Sequence, residues 1–354
     1  MAKPNSRKRR ALRALEDFPG LFDIADMDSP HGADHVEPAA ADTAPAPAPG
    51  NSFDIDTGSL RRHDALRFIS FGSGSSGNCA YLGNDRGGIL IDAGVDSDLV
   101  VRTLAENHID MRGIAGILLT HDHGDHIRYA YKLLRYNRHL ALFCTPRCLQ
   151  GLLRRTSVSR RVKDYHRAVY KEIEFEAGGF VITPFETSHD GSDNVGFSIR
   201  HNDTTFVVAT DMGVITERAD HYMRRANFIM LEADYDAEML RTCDRPDYLK
   251  ARIAGEKGHL DNAVTAEWAA SVLAASETAP DVLSHIFLCH ISKDTNTPEL
   301  AVRTVADAIA ARGMKTGDAT MSAEMTDARV QLAALPRLIP SPVYVLRRVT
   351  RKVR

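Results

Sequence analysis

No apolar run in the 354-residue chain approaches the ~20 residues needed to span a bilayer. The basic opening MAKPNSRKRRALRALEDFPG is followed by no apolar core of the kind that marks a secretory signal. These absences point to a cytoplasmic protein with no membrane role. Cysteine is scarce. Cys79, Cys144, Cys148, Cys243 and Cys289 form an odd set without a C-x-x-C pair, which fits free thiols in a reducing compartment better than a disulfide framework. Cys144 and Cys148 have no second pair nearby, and ordinary packing is expected of both. Charge of one sign is lacking too: the formal net charge is −3, so any polyanion must be met by a local patch.

Large apolar residues are missing from GADHVEPAAADTAPAPAPGNS, and residues 1–62 are expected to be a disordered tail. Its SRKRRALR patch reads as a solvated tail rather than a nucleic-acid contact. From residue 63 the texture changes. LRFISFG alternates as a strand, and CAYLGNDRGGILIDAG reads as two strands around a turn. A helix is predicted over about 96–107, and IAGILLT is a buried strand. HIRYAYKLLRYN reads as one helix. ALFCT, FVITPFE, VGFSIR, TTFVVATD, FIMLEAD and HIFLCH read as strands. NAVTAEWAASVLAAS is a helix with Asn262 as its cap, and PELAVRTVADAIAARG is a late helix. The order implies an α/β protein with helices covering sheets over 63–313. Residues 314–354 are weakly patterned, end in RRVTRKVR, and read as a weakly structured basic tail: either an arm for a polyanion or a loose end.

What the chain does have is THDHGDH, Thr120 to His126, straight after the apolar GILL. Past a strand the backbone is extended, so His121 and His123 point to one side and can share a metal. Gly124 permits a sharp turn, which puts Asp125 and His126 at the start of a helix, facing a second metal. The remaining ligands should come from later strand ends: His189 in TSHDGSDN, Asp211 in VVATDMG and His290 in FLCHIS. Asp211 is placed to bridge, His189 to complete the first metal and His290 the second.

THDHGDH resembles the H-x-H-x-D-H motif of the metallo-β-lactamase superfamily. Asp92 in ILIDAG resembles its first motif, an acid that orients the metal loop, and His189, Asp211 and His290 match the later motifs in order. The resemblance runs from about Phe68 to Ala311 and implies the αββα sandwich. FGSGSSGNCAYL, LEADYD, RIAGEKGHLDN and CHISKDTN are similar to the YycJ branch, also called WalJ, which implies 5′-to-3′ exonuclease activity on DNA. Tyr235 stands where that branch usually has histidine, and GHLDN replaces the commoner GHLSN.

The glycine- and serine-rich loop GSGSSGN offers Ser73, Ser75, Ser76 and Asn78 as a phosphate cradle. His259 precedes a helix; it can contact phosphate or protonate a leaving oxygen, or simply cap its loop. The stretch from Arg147 to Lys171 carries eight Arg and Lys residues against Asp164, with Tyr165 and Tyr170 interleaved, as a phosphate backbone with stacking bases would require.

The function implied is hydrolysis of a phosphodiester by two divalent ions, Zn²⁺ or Mn²⁺, which lower the pKa of a shared water. Asp92 and Asp125 would orient ligands or nucleophile. The expected partner is nucleic acid, namely DNA with a 5′ end; the resemblance alone carries the choice of DNA and the polarity, and oligomeric state stays open. Two rivals stand beside this reading. A small-molecule metallohydrolase, such as a lactonase or a glyoxalase II-like thioesterase, is opposed by the basic stretch. A non-catalytic metal-bound binding module would be expected to lack ligands, and all seven positions are filled.

Overall fold

The computed structural model describes residues 65–275, 283–319 and 328–349. The expected disordered tail over 1–62 lies outside the described residues. Two sheets form the centre. The first has seven strands in the order β15-β1-β2-β3-β4-β5-β6. In chain order these are β1 (Leu66–Gly72), β2 (Cys79–Gly83), β3 (Gly88–Ile91), β4 (Ile114–Leu118), β5 (Ala141–Cys144), β6 (His166–Ala168) and β15 (Tyr344–Leu346). The second has eight, in the order β13-β14-β12-β11-β10-β9-β8-β7. They are β7 (Phe175–Ala177), β8 (Phe180–Glu186), β9 (Val195–His201), β10 (Thr204–Ala209), β11 (Phe228–Glu232), β12 (His285–Cys289), β13 (Thr316–Asp318) and β14 (Val330–Ala334).

Strand periodicity sorts the core into layers. Successive side chains point to opposite faces. Phe68, Ile91, Phe197, Phe206, Phe228 and Phe287 therefore meet between the two sheets. Their neighbours Ile69 and Leu90 face outward onto α1 (Ser97–Glu106), α3 (Ala130–Tyr136) and α4 (Pro146–Arg154). Val207, Ile229 and Ile286 face outward onto α5 (Glu217–Met223), α8 (Asn262–Ala275) and α9 (Pro298–Ala310). The layers run helix, sheet, sheet, helix, which is the αββα sandwich. Both faces of the central strands are covered, which is why those strands are apolar throughout. Cys144 and Cys148 pack on the helix side of the first sheet.

Three expectations are corrected. Of the expected tail over 314–354, the described residues 314–319 and 328–349 carry three strands. β14 lies between β12 and β13 in the second sheet, and β15 pairs with β1 in the first. The expected single helix over 126–137 is two, α2 (Gly124–Ile127) and α3. In a continuous helix the Asp125 carbonyl would accept the Tyr129 N–H. Here it accepts the Asn78 N–H at 2.8 Å, and Tyr129 donates to the Ala93 carbonyl. The cap of α8 is Asp261, whose carboxylate accepts the Ala263 N–H, while the Asn262 amide is engaged with Asn296. Two short helices, α6 (Ala237–Thr242) and α7 (Asp247–Ile253), follow β11. Among the described residues no helix is long and apolar enough to cross a membrane.

Candidate metal centre

The site is built on strand ends. Asp92 follows β3, His121 follows β4, His189 follows β8, Asp211 follows β10 and His290 follows β12. Asp92, Asp211 and His290 adopt left-handed backbone, with φ of 57°, 57° and 53°. Such a conformation costs of order 1–3 kcal/mol in a residue other than glycine and persists where surrounding structure imposes it. The kink redirects each side chain at the point where the strand stops.

Hydrogen bonds then set each imidazole. Thr120 donates its N–H and hydroxyl to the Asp92 carboxylate at 2.9 and 3.0 Å, which fixes that acid. The other Asp92 oxygen lies 2.8 Å from His126 Nδ1. A carboxylate only accepts, so Nδ1 carries the proton and the Nε2 lone pair faces inward. His189 Nδ1 donates to the Gly258 carbonyl at 2.9 Å, which leaves its Nε2 bare. Asp234 lies 3.1 Å from His290 Nδ1, and Asp190 lies 3.3 Å from His123 Nε2. Asp190 is itself held by Arg252.

Two triads of inward-facing donors result: His121, His123 and His189, and Asp125, His126 and His290. Within each, the donor atoms lie within 4.8 Å of one another. Asp211 reaches both. Its oxygens are 3.5 Å from His126 Nε2, 3.4 Å from His290 Nε2 and 3.8 Å from His189 Nε2. His123 Nδ1 and His189 Nε2 face each other at 3.2 Å. That is near the edge of a tetrahedron with metal–nitrogen bonds of about 2.1 Å. His121 Nε2 is buried with no hydrogen-bond partner. A buried polar nitrogen left unpaired is costly, and a cation among these nitrogens removes the cost. The residues fit divalent metal.

Electrostatics divide the two triads: burial lowers His126 and His290, but the facing carboxylates, Asp125 and Asp211 among them, raise both well above the usual imidazole range, so each gives up a proton to bind metal. Burial, reinforced by His126 and His123, lowers His121 well below the usual imidazole range, and burial lowers His189 to about 3. Both therefore stay in the neutral, metal-binding form. Burial pushes Asp211 upward, but the His290 and His126 charges outweigh it and hold the acid well below the carboxylate range.

His259 lies beside both triads. Its ring stacks on His290 at 4.9 Å and lies 5.0 Å from the His189 ring. Glu232, absent from the sequence reading, accepts from His259 Nδ1 at 2.6 Å and from the Met212 N–H at 2.6 Å. Burial draws His259 down, yet the Asp234 and Glu232 charges raise it to about 9. Glu232 and Asp234 lie at the end of β11, and Asp190 next to His189. Glu232 and Asp234 carry a signal already in use, an acid at the end of an apolar strand, but Asp190 stands apart from any strand end.

Three of the four side chains expected to cradle phosphate make bonds within the protein. Ser73 Oγ accepts the His290 N–H at 2.9 Å. Asn78 donates to Asp125 at 2.9 Å and accepts the Gly74 N–H at 2.7 Å. Ser76 Oγ accepts from Arg337 at 3.0 Å, and Ser75 is half-buried. The loop braces ligands. The basic stretch divides. Arg147 and Lys171 line a 720 Å³ cleft beside His189, together with Arg218 and Lys257 and with the acids Glu186, Asp193 and Glu217. Lys171 is paired with Glu186 and Asp193. Tyr165 packs against the helix-side core, whereas Tyr170 is exposed. Tyr235 is buried, and burial with the Asp261 charge pushes its phenol up to about 12.

Residues 88–286 match a family model described as a beta-lactamase superfamily domain. The chain is 27% identical over 255 residues to an exodeoxyribonuclease YycJ of Bacillus anthracis, covering 72% of this chain and 93% of the relative. It is 28% identical over 253 residues to an exodeoxyribonuclease WalJ of Streptococcus pneumoniae serotype 2, covering 71% and 91%. Its fold is similar to that of the metallo-beta-lactamase fold protein YhfI of Bacillus subtilis, with a TM-score of 0.53 at 13% identity over 78% of this chain and 99% of that one.

Proposed function

Because the chain belongs to the metallo-β-lactamase superfamily and is YycJ/WalJ-like, a family of metal-dependent hydrolases, we propose that it is a dinuclear phosphodiesterase, specifically a 5′-to-3′ exodeoxyribonuclease. The observation that carries the reading is the pair of donor triads sharing Asp211, with the orphaned His121 Nε2 among them. In this reading His121, His123, His189 and Asp211 hold one ion, and Asp125, His126, His290 and Asp211 the other. Bound Zn²⁺ or Mn²⁺ would supply Lewis acidity toward phosphate oxygens and a water acidic enough to attack near neutral pH.

The chain's own residues do the rest. Asp92, Asp190, Asp234 and the Gly258 carbonyl hold the imidazoles in the ligating tautomer. His259, protonated near neutral pH and steered by Glu232, gives a proton to the leaving 3′ oxygen. The polar cleft beside His189, where Arg147 and Lys257 stand among Glu186, Asp193 and Glu217, offers those two cations to the phosphate backbone. That cleft is polar, which suits a phosphodiester better than the acyl group of a lactone or thioester.

The test uses purified protein with Mn²⁺ or Zn²⁺ and a 3′-labelled, 5′-phosphorylated DNA oligonucleotide, beside His123→Ala. A ladder of shortened, 3′-labelled products that vanishes in the variant establishes the activity. Intact DNA with wild type shown to hold two metals per chain rules it out and moves lactone, thioester and RNA substrates forward.

A further inference from the structure

A crossing segment stands at the end of the sandwich that carries the metal centre. β14 runs parallel to β12, with Ala334 opposite Leu288, so it stops at the same end as His290. The chain then passes from the second sheet to the first, where β15 begins beside β1. Both ends of this crossing are pinned. The Pro336 carbonyl accepts the Ser73 N–H at 3.1 Å, and the Ser341 N–H donates to the Ser70 carbonyl at 2.8 Å. Arg337 reaches across to the Ile291 carbonyl at 2.8 Å and to Ser76 Oγ at 3.0 Å. Two of these partners adjoin a metal-site histidine: Ser73 Oγ accepts the His290 N–H, and Ile291 follows His290 in the chain.

Between the pins stand Leu338 and Ile339, 69% and 66% exposed, with Pro336 before them and Pro340 after. Among the described residues they are the only two large apolar side chains exposed at adjacent positions. Single exposed aliphatics are ordinary, but a pair on a braced bend is a surface ready for contact. Proline on either side and hydrogen bonds at both ends leave the bend little freedom to lose on binding. Cations stand close by in the chain and in space. Arg128 donates to the carbonyl of Ser76, the residue whose hydroxyl Arg337 holds. Lys293 is exposed two residues beyond Ile291, and the acid next to it, Asp294, is paired with Arg245 at 2.9 Å.

The partner that fits is the end of a duplex. Backbone and grooves of a double helix are charged and polar. The flat face of its last base pair is the large surface that an aliphatic pair can cover. Leu and Ile side chains are also known to enter base steps and unstack them where proteins kink DNA. The metal-site donors are buried, His126 and His121 almost completely. A phosphodiester at a paired 5′ end reaches them only after its nucleotide leaves the stack, as in other enzymes that act on paired DNA.

We infer that Leu338 and Ile339 form a wedge that packs on the terminal base pair of a duplex and parts its 5′ nucleotide from the stack, while Arg128 and Lys293 offer charge to the phosphates of that strand. The inference rests on the nuclease reading and deepens it: these two side chains select a DNA end and deliver one strand of it to the metals.

The test places 2-aminopurine at the 5′ terminus of a blunt, phosphorothioate-linked duplex and reads its fluorescence on the Zn²⁺-loaded full-length protein, because this base brightens when it unstacks. Wild type should brighten it several-fold. The double variant Leu338→Ala with Ile339→Ala should not, and Leu338→Met with Ile339→Leu should. Both side chains are exposed, so none of these changes should disturb folding. On a cleavable duplex with a paired 5′ end, the double alanine variant should be about ten-fold slower than wild type, the weight of one stacking step. Two mismatched 5′ nucleotides, which fray the end beforehand, should relieve most of that loss. Equal brightening by wild type and the double alanine variant, or equal slowing on paired and frayed ends, overturns the inference. A wild-type dimer that the double alanine variant breaks assigns the pair to a second copy of the chain and overturns it too. Cleavage by wild type with no difference in the variants leaves the nuclease reading standing and removes the wedge. Brightening lost in the double alanine variant, with no cleavage by wild type, keeps the wedge and removes the nuclease.

Discussion

Asp92 Oδ2 lies 2.8 Å from His126 Nδ1, and both side chains are shut away from solvent. The contact decides which nitrogen of His126 can bind metal. In Asp92→Asn the amide oxygen stays on the Thr120 N–H, which turns the NH₂ toward Nδ1 and favours the tautomer with the proton on Nε2. The shape is kept while the ligand is blunted. The variant should lose roughly 10- to 100-fold in metal affinity, the range for such outer partners. Metal retained after dialysis against a competing chelator measures it. Unchanged affinity would mean that Thr120, which also touches Asp92 and both nearby rings, sets the tautomer instead.

Gly94 is where the ligand-bearing α2 meets the two segments that carry Asn78 and Asp92. Its N–H donates to the Asn78 carbonyl, and the Asn78 N–H donates to the Asp125 carbonyl, each at 2.8 Å. A Cβ at Gly94 would stand 1.5 Å from the Asp125 carbonyl oxygen, where only backbone is available to yield. Gly94→Ala should destabilise by roughly 3 kcal/mol, the upper range for overpacking, and release metal. Gly113→Ala is the control: a Cβ there meets nothing within 4 Å, and the change should fall within about 0.5 kcal/mol. Urea midpoints of the two variants decide it. Equal midpoints would show that α2 shifts at little cost.

The legible parts of this chain were those carried by local pattern. Alternation marked β1, β8 and β10, because a strand buried on one or both faces declares itself residue by residue. His121 to His126 was legible because its density of donors has no structural use. Glu232, Asp190 and Asp234 were not, since each acts on a histidine distant in sequence or held by tertiary convergence, and an isolated acid after a strand is ambiguous. The break between α2 and α3 was hidden for a similar reason. What interrupts it is Asn78, far upstream. β14 is a short VQLAA run after a weakly patterned stretch, and its assignment depends on a partner strand, β12, that local reading does not supply.

The C-terminal strand follows the same logic into stability. Tyr344 pairs with Phe68 in register, and its ring lies 4.7 Å from Phe287 and 6.1 Å from Phe68, between the sheets. Tyr344→Ala should cost about 3 kcal/mol, the usual loss for truncating a buried aromatic. Val345 on the same strand is 57% exposed, and Val345→Ala should cost far less. Chemical denaturation compares the pair. If both variants matched wild type, β15 would be a loosely held edge rather than part of the inter-sheet core.

His285 gives the fold a dependence on pH that is separate from the metal site. It opens β12 beside the Phe228 and Phe287 rings, 5.4 and 6.0 Å from its own, and burial lowers it to about 4 from an ordinary 6.5. The unfolded chain takes up a proton as pH falls through 6.5, while the folded chain does so only near 4. The unfolded state therefore binds more protons in that window, and stability must fall with pH across it. The full loss attributable to this group is roughly 3 kcal/mol, reached below pH 4. In His285→Phe the proton has nowhere to bind in either state. The unfolding free energy of the variant relative to wild type should be level above pH 7 and rise steadily between pH 6.5 and 4. Both proteins carry the same acids and metal ligands, so their other titrations cancel in the difference. A difference that stayed level down to pH 4 would mean that His285 reaches water in the folded state and titrates there as it does in the unfolded chain.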